Sequence, residues 1–227
     1  MTMNHVYGID EAGRGPILGP MALAVVVLDD ASTAHITALG VQDSKRFGAG
    51  DKAQEARADL ALQIQQTAIA FAIELVPVEV IDEHTFRGRL NHLERDVAAR
   101  LLDRLTTPRD AFILCDGKRL FNPMRLQYPR LEAHDNGESV HVAVAAASIL
   151  AKHARDSAFA QIANIYAPQF GKIAGGGYLN AATRRFLDAY ANLHGGLPPE
   201  ARKSWGAEKL PDPSGPSTPD DQLTLAT

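Results

Sequence analysis

Short apolar runs divided by polar, turn-rich stretches mark the chain from its first residues. Residues 5–10 and 21–30 are dense in Val, Ile and Leu and predict two buried strands. The stretch between them, Ala-Gly-Arg-Gly-Pro-Ile-Leu-Gly-Pro, holds three Gly and two Pro and reads as a loop. Residues 51–66 are rich in Ala, Gln, Leu and Glu and predict a helix. Over 67–76 the apolar positions Ile69, Phe71, Ile73 and Leu75 alternate, as on one face of a strand. Across 78–105 the residues Leu90, Leu93, Val97, Leu101 and Leu105 return at near-helical spacing, and Pro108 stands beyond them as a stop signal.

A further short strand is expected at 111–115, ending on Asp116-Gly117. Residues 141–147 are apolar and strand-like, and run without a breaker into a helix over 148–166. A glycine loop follows at 174–178, then a helix over 181–193 with Asn180 placed to cap it. Residues 210–227 are rich in Pro, Ser, Thr and Asp and read as a disordered tail. The first three strands can pair as an antiparallel meander, and the later ones need crossover helices. The economical architecture is α/β: a mixed sheet with helices on its faces, and no internal repeat.

A chain of 227 residues has room for one such domain and a small C-terminal appendage. No apolar run reaches the ~18 residues of a membrane span. The start lacks a basic region followed by an apolar stretch, which points to a cytoplasmic protein. The single cysteine, Cys115, excludes an internal disulfide framework and a cysteine-based zinc site, and reads as a buried core thiol. The histidines show no ligand-like spacing. A net charge of −4 does not advertise a nucleic-acid binder. Carboxylates that hold cations would account for part of that charge, and Lys45, Arg46, Lys152, Arg155, Arg202 and Lys203 are candidates for one basic face.

The candidate chemistry is acidic. Asp10 and Glu11 close an apolar strand just before the glycines. Neighbouring strand residues point to opposite faces, so both reach one site only if the strand stops there and the chain turns. Asp116 repeats the arrangement at the end of Phe112-Ile113-Leu114-Cys115. Each acid alone is equally a solvated strand end or a turn. Together, three carboxylates from two strand ends suit Mg²⁺ or a similar hard cation. Two such ions, roughly 3.5–4 Å apart, assist phosphodiester hydrolysis. A dinucleotide fingerprint fails, because Leu18 stands where a third glycine is needed.

Tyr7-Gly8-Ile9-Asp10-Glu11-Ala12-Gly13-Arg14-Gly15-Pro16 closely resembles the opening motif of ribonuclease HII. Asp43-Ser44-Lys45, Asp116-Gly117, Ala145-Ala146-Ala147-Ser148-Ile149-Leu150-Ala151-Lys152 with Arg155-Asp156, Gly177-Tyr178 and Arg202-Lys203-Ser204-Trp205 resemble its later motifs in order. The similarity covers about residues 5–206. It implies a ribonuclease H-like fold with a mixed five-stranded sheet, flanking helices and a C-terminal helical extension, as one catalytic domain over 1–210 with a tail at 211–227.

The resemblance also implies a metal-dependent endonuclease, using two Mg²⁺ or Mn²⁺ ions to cut RNA·DNA hybrids and incise 5′ of ribonucleotides embedded in duplex DNA. The products would be 5′-phosphate and 3′-hydroxyl ends. Four metal-site acids are implied: Asp10, Glu11, Asp116 and, ten residues before Ser148, Glu138 where the family usually has Asp. Asp135 is the alternative fourth acid, and Asp156 is read as a local hydrogen-bonding partner. Gly13, Arg14 and Gly15 are implied to meet the ribose 2′-OH, Tyr178 the following deoxyribose, and Lys45, Ser148, Lys152 and Arg202 the phosphates. The enzyme would act as a monomer. The sequence 222–227 lacks the paired aromatics of a clamp-binding peptide. A hybrid-binding protein without catalysis, and a ribonuclease HIII, are the readings that compete.

Overall fold

The computed structural model describes residues 5–41 and 51–205. Asp43, Ser44, Lys45 and Arg46 lie outside the described residues, as does the tail expected at 211–227. Five strands form one mixed sheet: β1 (Val6–Ala12), β2 (Met21–Leu28), β3 (Ala70–Val76), β4 (Phe112–Asp116) and β5 (Leu131–His134), in the order β3-β2-β1-β4-β5. The β1-β2-β3 meander is antiparallel, as expected, while β4 pairs parallel to β1 and β5 parallel to β4.

Both faces of the sheet are covered, and β2 is buried at every position. On one face, Ile9, Leu23, Val25 and Cys115 pack against Leu93, Val97 and Leu101 of helix α4 (Leu90–Arg104). On the other, Ala22, Ala24, Val26 and Leu28 meet the alanine-rich start of the longest helix, Val142–Phe170. Helices α1 (Asp30–Ala38) and α2 (Asp51–Thr67) cover the same face. A third cluster joins Ile17 and Leu18 of the glycine loop to Phe159, Ile162, Phe186 and Leu187, and ties the C-terminal helices to the start of the chain. Cys115 is fully buried, as expected.

Several elements differ from the sequence expectation. Helix α1 had no clear signal, because among its residues only Ser32 and Ile36 are buried; a capping box between Asp29 and Ser32 starts it. The helix expected over 78–105 is two, α3 (Val78–Phe86) and α4, parted at Gly88, whose φ of +65° ends a helix readily. Residues 141–147 are not a strand. They begin the helix Val142–Phe170, with the His141 ring accepting from the Ala143 N–H at 3.0 Å. An apolar run buried on every side carries no period, so helix and strand look alike in it. The fifth strand is instead β5, four residues long, with Leu131 and Ala133 inward and Glu132 outward.

After the short helix α5 (Lys118–Phe121), the Val142–Phe170 helix is α6, and Ala181–His194 is α7. Asn180 caps α7 as expected, accepting from Ala182 and Thr183. Helix α6 crosses β1 closely enough that a Cβ on Gly8 would stand 2.1 Å from the Ala143 carbonyl carbon. Only glycine permits that approach, which sets α6 against the strand that carries Asp10. Among the described residues no helix is long and apolar enough to cross a membrane.

Candidate active site

The register of the sheet builds the acid cluster. Ile9 of β1 pairs with Cys115 of β4, so the next residues, Asp10 and Asp116, come level on adjacent parallel strands. After β5 the chain turns through Asn136, in the left-handed conformation at φ +67°, into a 3₁₀ turn over Gly137–Ser139. The Gly137 N–H donates to an Asp116 carboxylate oxygen at 2.7 Å, and a Cβ there would lie 3.0 Å from the Asp116 Cα. This turn carries Glu138 inward, and Glu138 is buried. Asp10, Asp116 and Glu138 each offer an oxygen within 4.8 Å of the others.

Glu11 stands beside this group. Strand β1 runs on through Ala12 without turning at Asp10, yet the Glu11 carboxyl still hydrogen-bonds with that of Asp10 and feels the Asp116 charge. Glu11 also lines an adjoining cleft of about 410 Å³. Asp135 is exposed and accepts from the Lys118 N–H at 3.0 Å, and is not one of the three acids whose oxygens come within 4.8 Å of one another.

Electrostatics mark the cluster as overcharged. Burial, reinforced by the Glu11 and Asp116 charges, lifts the Asp10 carboxyl well above the ordinary Asp range, against a hydrogen bond with Ser148. Burial also raises Glu11, opposed by the Arg14 charge. Three oxygen donors of one sign, close together and partly buried, fit a hard divalent cation: its charge would replace the protons that crowding now favours.

The cleft is walled by Gly13, Arg14, Gly15, Arg57, Ser148, Lys152, Arg155 and Tyr178. Tyr178 is half exposed, and its ring edge lies 3.2 Å from where a Cβ of Gly15 would be. Ser148 touches both features, lining the cleft and hydrogen-bonding to Asp10. Lys152 donates to Asp156 at 2.6 Å. Asp156 also receives Arg155, which fits its reading as a local partner.

Two expectations require correction. Arg202 is not a phosphate contact, and with Arg155 it does not belong to an exposed basic face. Both side chains are fully buried. Arg202 donates to the carbonyls of Gly13, Arg14 and Gly19, and Arg155 to that of Leu18. Carbonyls of the glycine loop thus meet the Arg202 guanidinium, while Leu18 O, the Asp156 carboxylate and the Phe159 ring meet that of Arg155.

Glu94 escaped the sequence reading. It is fully buried on α4 and pairs with Arg14, whose other terminal nitrogen donates to Asn91 at 2.7 Å. Burial, opposed by Arg14, raises its pKa to about 7. A signal existed: Glu94 falls four residues after Leu90 and one after Leu93, a carboxylate on the apolar stripe of its helix.

The family model for ribonuclease HII matches residues 7–207. A ribonuclease HII of Thermococcus sibiricus is 36% identical over 205 residues, covering 87% of each chain. The solved ribonuclease H2 of Pyrococcus horikoshii OT3 superposes with a TM-score of 0.76 at 26% identity, over 90% of this chain and 94% of that one. Ribonuclease HII of Archaeoglobus fulgidus, solved in complex with PCNA, gives 0.73 at 27% identity, over 88% and 95%.

Proposed function

We propose that this chain, which belongs to the ribonuclease HII family and is a ribonuclease H, incises duplex DNA 5′ of an embedded ribonucleotide as well as cutting the RNA strand of hybrids, leaving 5′-phosphate and 3′-hydroxyl ends. One observation carries the proposal. The acid cluster of Asp10, Asp116 and Glu138 adjoins, through Glu11 and Ser148, a cleft walled by the glycine turn and Tyr178.

Asp10, Asp116 and Glu138, with Glu11 beside them, would hold two Mg²⁺ or Mn²⁺ ions. Such ions, when bound, make water a stronger nucleophile at neutral pH and stabilise charge on the leaving oxygen. The remaining work falls to the chain. Ser148 fixes the Asp10 carboxylate by its hydrogen bond. Gly13 and Gly15 let backbone polar groups approach a sugar, and the 2′-OH is the group that separates RNA from DNA. The Tyr178 ring, beside Gly15, would pack on a deoxyribose, where a second hydroxyl would crowd it. Lys152 supplies phosphate attraction, which positions the duplex and weakens as salt rises.

The test is cleavage-site mapping on a DNA duplex carrying one ribonucleotide, with Mg²⁺ and with Mn²⁺, beside the same duplex wholly deoxy. A single cut 5′ of the ribonucleotide is expected, and none in the deoxy control. Silence on the first duplex, or cutting of the second, would overturn the proposal.

A further inference from the structure

The chain's last described segment returns to its first loop. Arg202 donates from Nε to the Gly19 carbonyl at 3.0 Å, from Nη1 to Arg14 at 2.9 Å and from Nη2 to Gly13 at 2.6 Å. Its guanidinium lies 5.0 Å from the centre of the Trp205 ring, and the Trp205 indole N–H donates to the Gly15 carbonyl at 3.0 Å. The backbone joins in, with Arg202 N–H to Ile17 O at 2.8 Å and Gly19 N–H to Glu200 O at 2.8 Å. The segment is itself anchored. Asp82, buried on α3, accepts from the Lys203 N–H at 2.9 Å, the Ser204 N–H at 3.0 Å and the Ser204 hydroxyl.

Three successive carbonyls, those of Gly13, Arg14 and Gly15, are therefore drawn to one side of the turn by two side chains. In a trans peptide the C=O of one residue and the N–H of the next point in opposite directions, and no peptide here is cis. The N–H groups of Arg14 and Gly15 consequently point away from Arg202, in a turn whose three residues line the cleft. Burial is costly for a guanidinium, and a well-packed apolar side chain would commonly serve stability as well. Here the Arg202 fork spans the carbonyls of Gly13 and Arg14, an arrangement that no apolar side chain or single ammonium reproduces.

We propose that Arg202 and Trp205 are positioning residues for ribonucleotide specificity. They turn the carbonyls of the glycine turn inward and hold its N–H edge toward the 2′-OH, without touching substrate themselves. The proposal rests on the reading above that this turn meets the ribose.

Two variants test it. Trp205→Phe keeps an aromatic ring beside Arg202 and removes the indole N–H together with part of the ring area; Arg202→Lys keeps the charge and removes the fork. The readouts are kcat/KM on the duplex with one ribonucleotide, and the inhibition constant of the all-deoxy duplex as competitor. Trp205→Phe should lower kcat/KM about fivefold, the worth of one hydrogen bond, and Arg202→Lys by roughly tenfold or more, since it loses charge-assisted bonds. The all-deoxy inhibition constant should stay within about twofold, because no 2′-OH contact contributes to it. Unchanged kcat/KM, or a parallel loss of both quantities, would overturn the proposal. If Arg202→Lys does not fold, Trp205→Phe decides alone. If the wild-type enzyme fails to cut at the ribonucleotide, the proposed function has failed and not this inference.

Discussion

Replacing Asp10 by Asn should abolish hydrolysis while making the metal-free protein more stable. Asp10, Asp116 and Glu138 present oxygens within 4.8 Å of one another. Two unit charges at that separation repel by about 3 kcal/mol at an effective dielectric constant of 20. Partial protonation and solvent screening reduce this, so a gain of roughly 1–3 kcal/mol is expected from removing one charge. For a chain of this size that corresponds to about 2–10 °C in Tm. Asn retains a carbonyl oxygen to accept from the Glu11 N–H, now 2.8 Å from the Asp10 carboxylate, so the local backbone keeps its partner.

The gain should depend on pH. Burial and the neighbouring charges raise the Asp10 pKa in the folded state. Wild-type stability is therefore greatest below the unfolded Asp value and falls as pH rises through the higher folded value. The variant lacks that loss, so its advantage widens with pH. Thermal unfolding in EDTA from pH 5 to 8, repeated with Mg²⁺ or Mn²⁺, measures both effects. Wild-type Tm should rise with metal and the variant's much less. A variant less stable than wild type at pH 8 in EDTA, or one with an undiminished metal shift, would refute the reasoning.

Glu138→Gln should cripple cleavage while Asp135→Asn leaves it near wild type, checked by initial rates; the reverse result would move the fourth acid to Asp135. Gly8→Ala should destabilise the fold by about 3 kcal/mol or more, because its Cβ would meet α6 backbone that cannot shift alone; urea unfolding measures it, and a neutral result would contradict the close crossing. Glu94→Gln should flatten the pH dependence of stability. A Glu raised to about 7 contributes stability that is lost as pH rises from the ordinary Glu value through 7. The loss is on the order of 3 kcal/mol at most, and parallel Tm profiles for wild type and variant between pH 5 and 8 would rule it out.

Legibility in the sequence followed the kind of signal each element carries. The β1-β2-β3 meander was readable because Ile69, Phe71, Ile73 and Leu75 alternate and the earlier strands are bounded by Gly and Pro. The 141–147 segment was misread because a stretch buried all round has no polar positions to reveal its period. Strand β5 was missed since four residues, two inward, give too little pattern. At the site, Asp10 and Asp116 were visible as acids at the ends of apolar runs. Their adjacency depends on the β1–β4 register, which no local pattern encodes. Arg202 was assigned to phosphate because a basic residue in a motif looks the same whether it faces solvent or carbonyls. Only the fold, which brings residue 202 to residue 13, distinguishes the two. Glu94 could have been found by asking why an apolar helical stripe contains a carboxylate.

Residues 200–205 seal a loop that was synthesised almost two hundred residues earlier. A nascent chain already possesses Asp10, Glu11, Asp116 and Glu138 before Arg202 and Trp205 leave the ribosome, while the carbonyls of Gly13, Arg14 and Gly15 still lack the bonds those two side chains donate. On the positioning role proposed for Arg202 and Trp205, a product truncated before residue 202 would carry the acids without the bonds that orient the glycine turn.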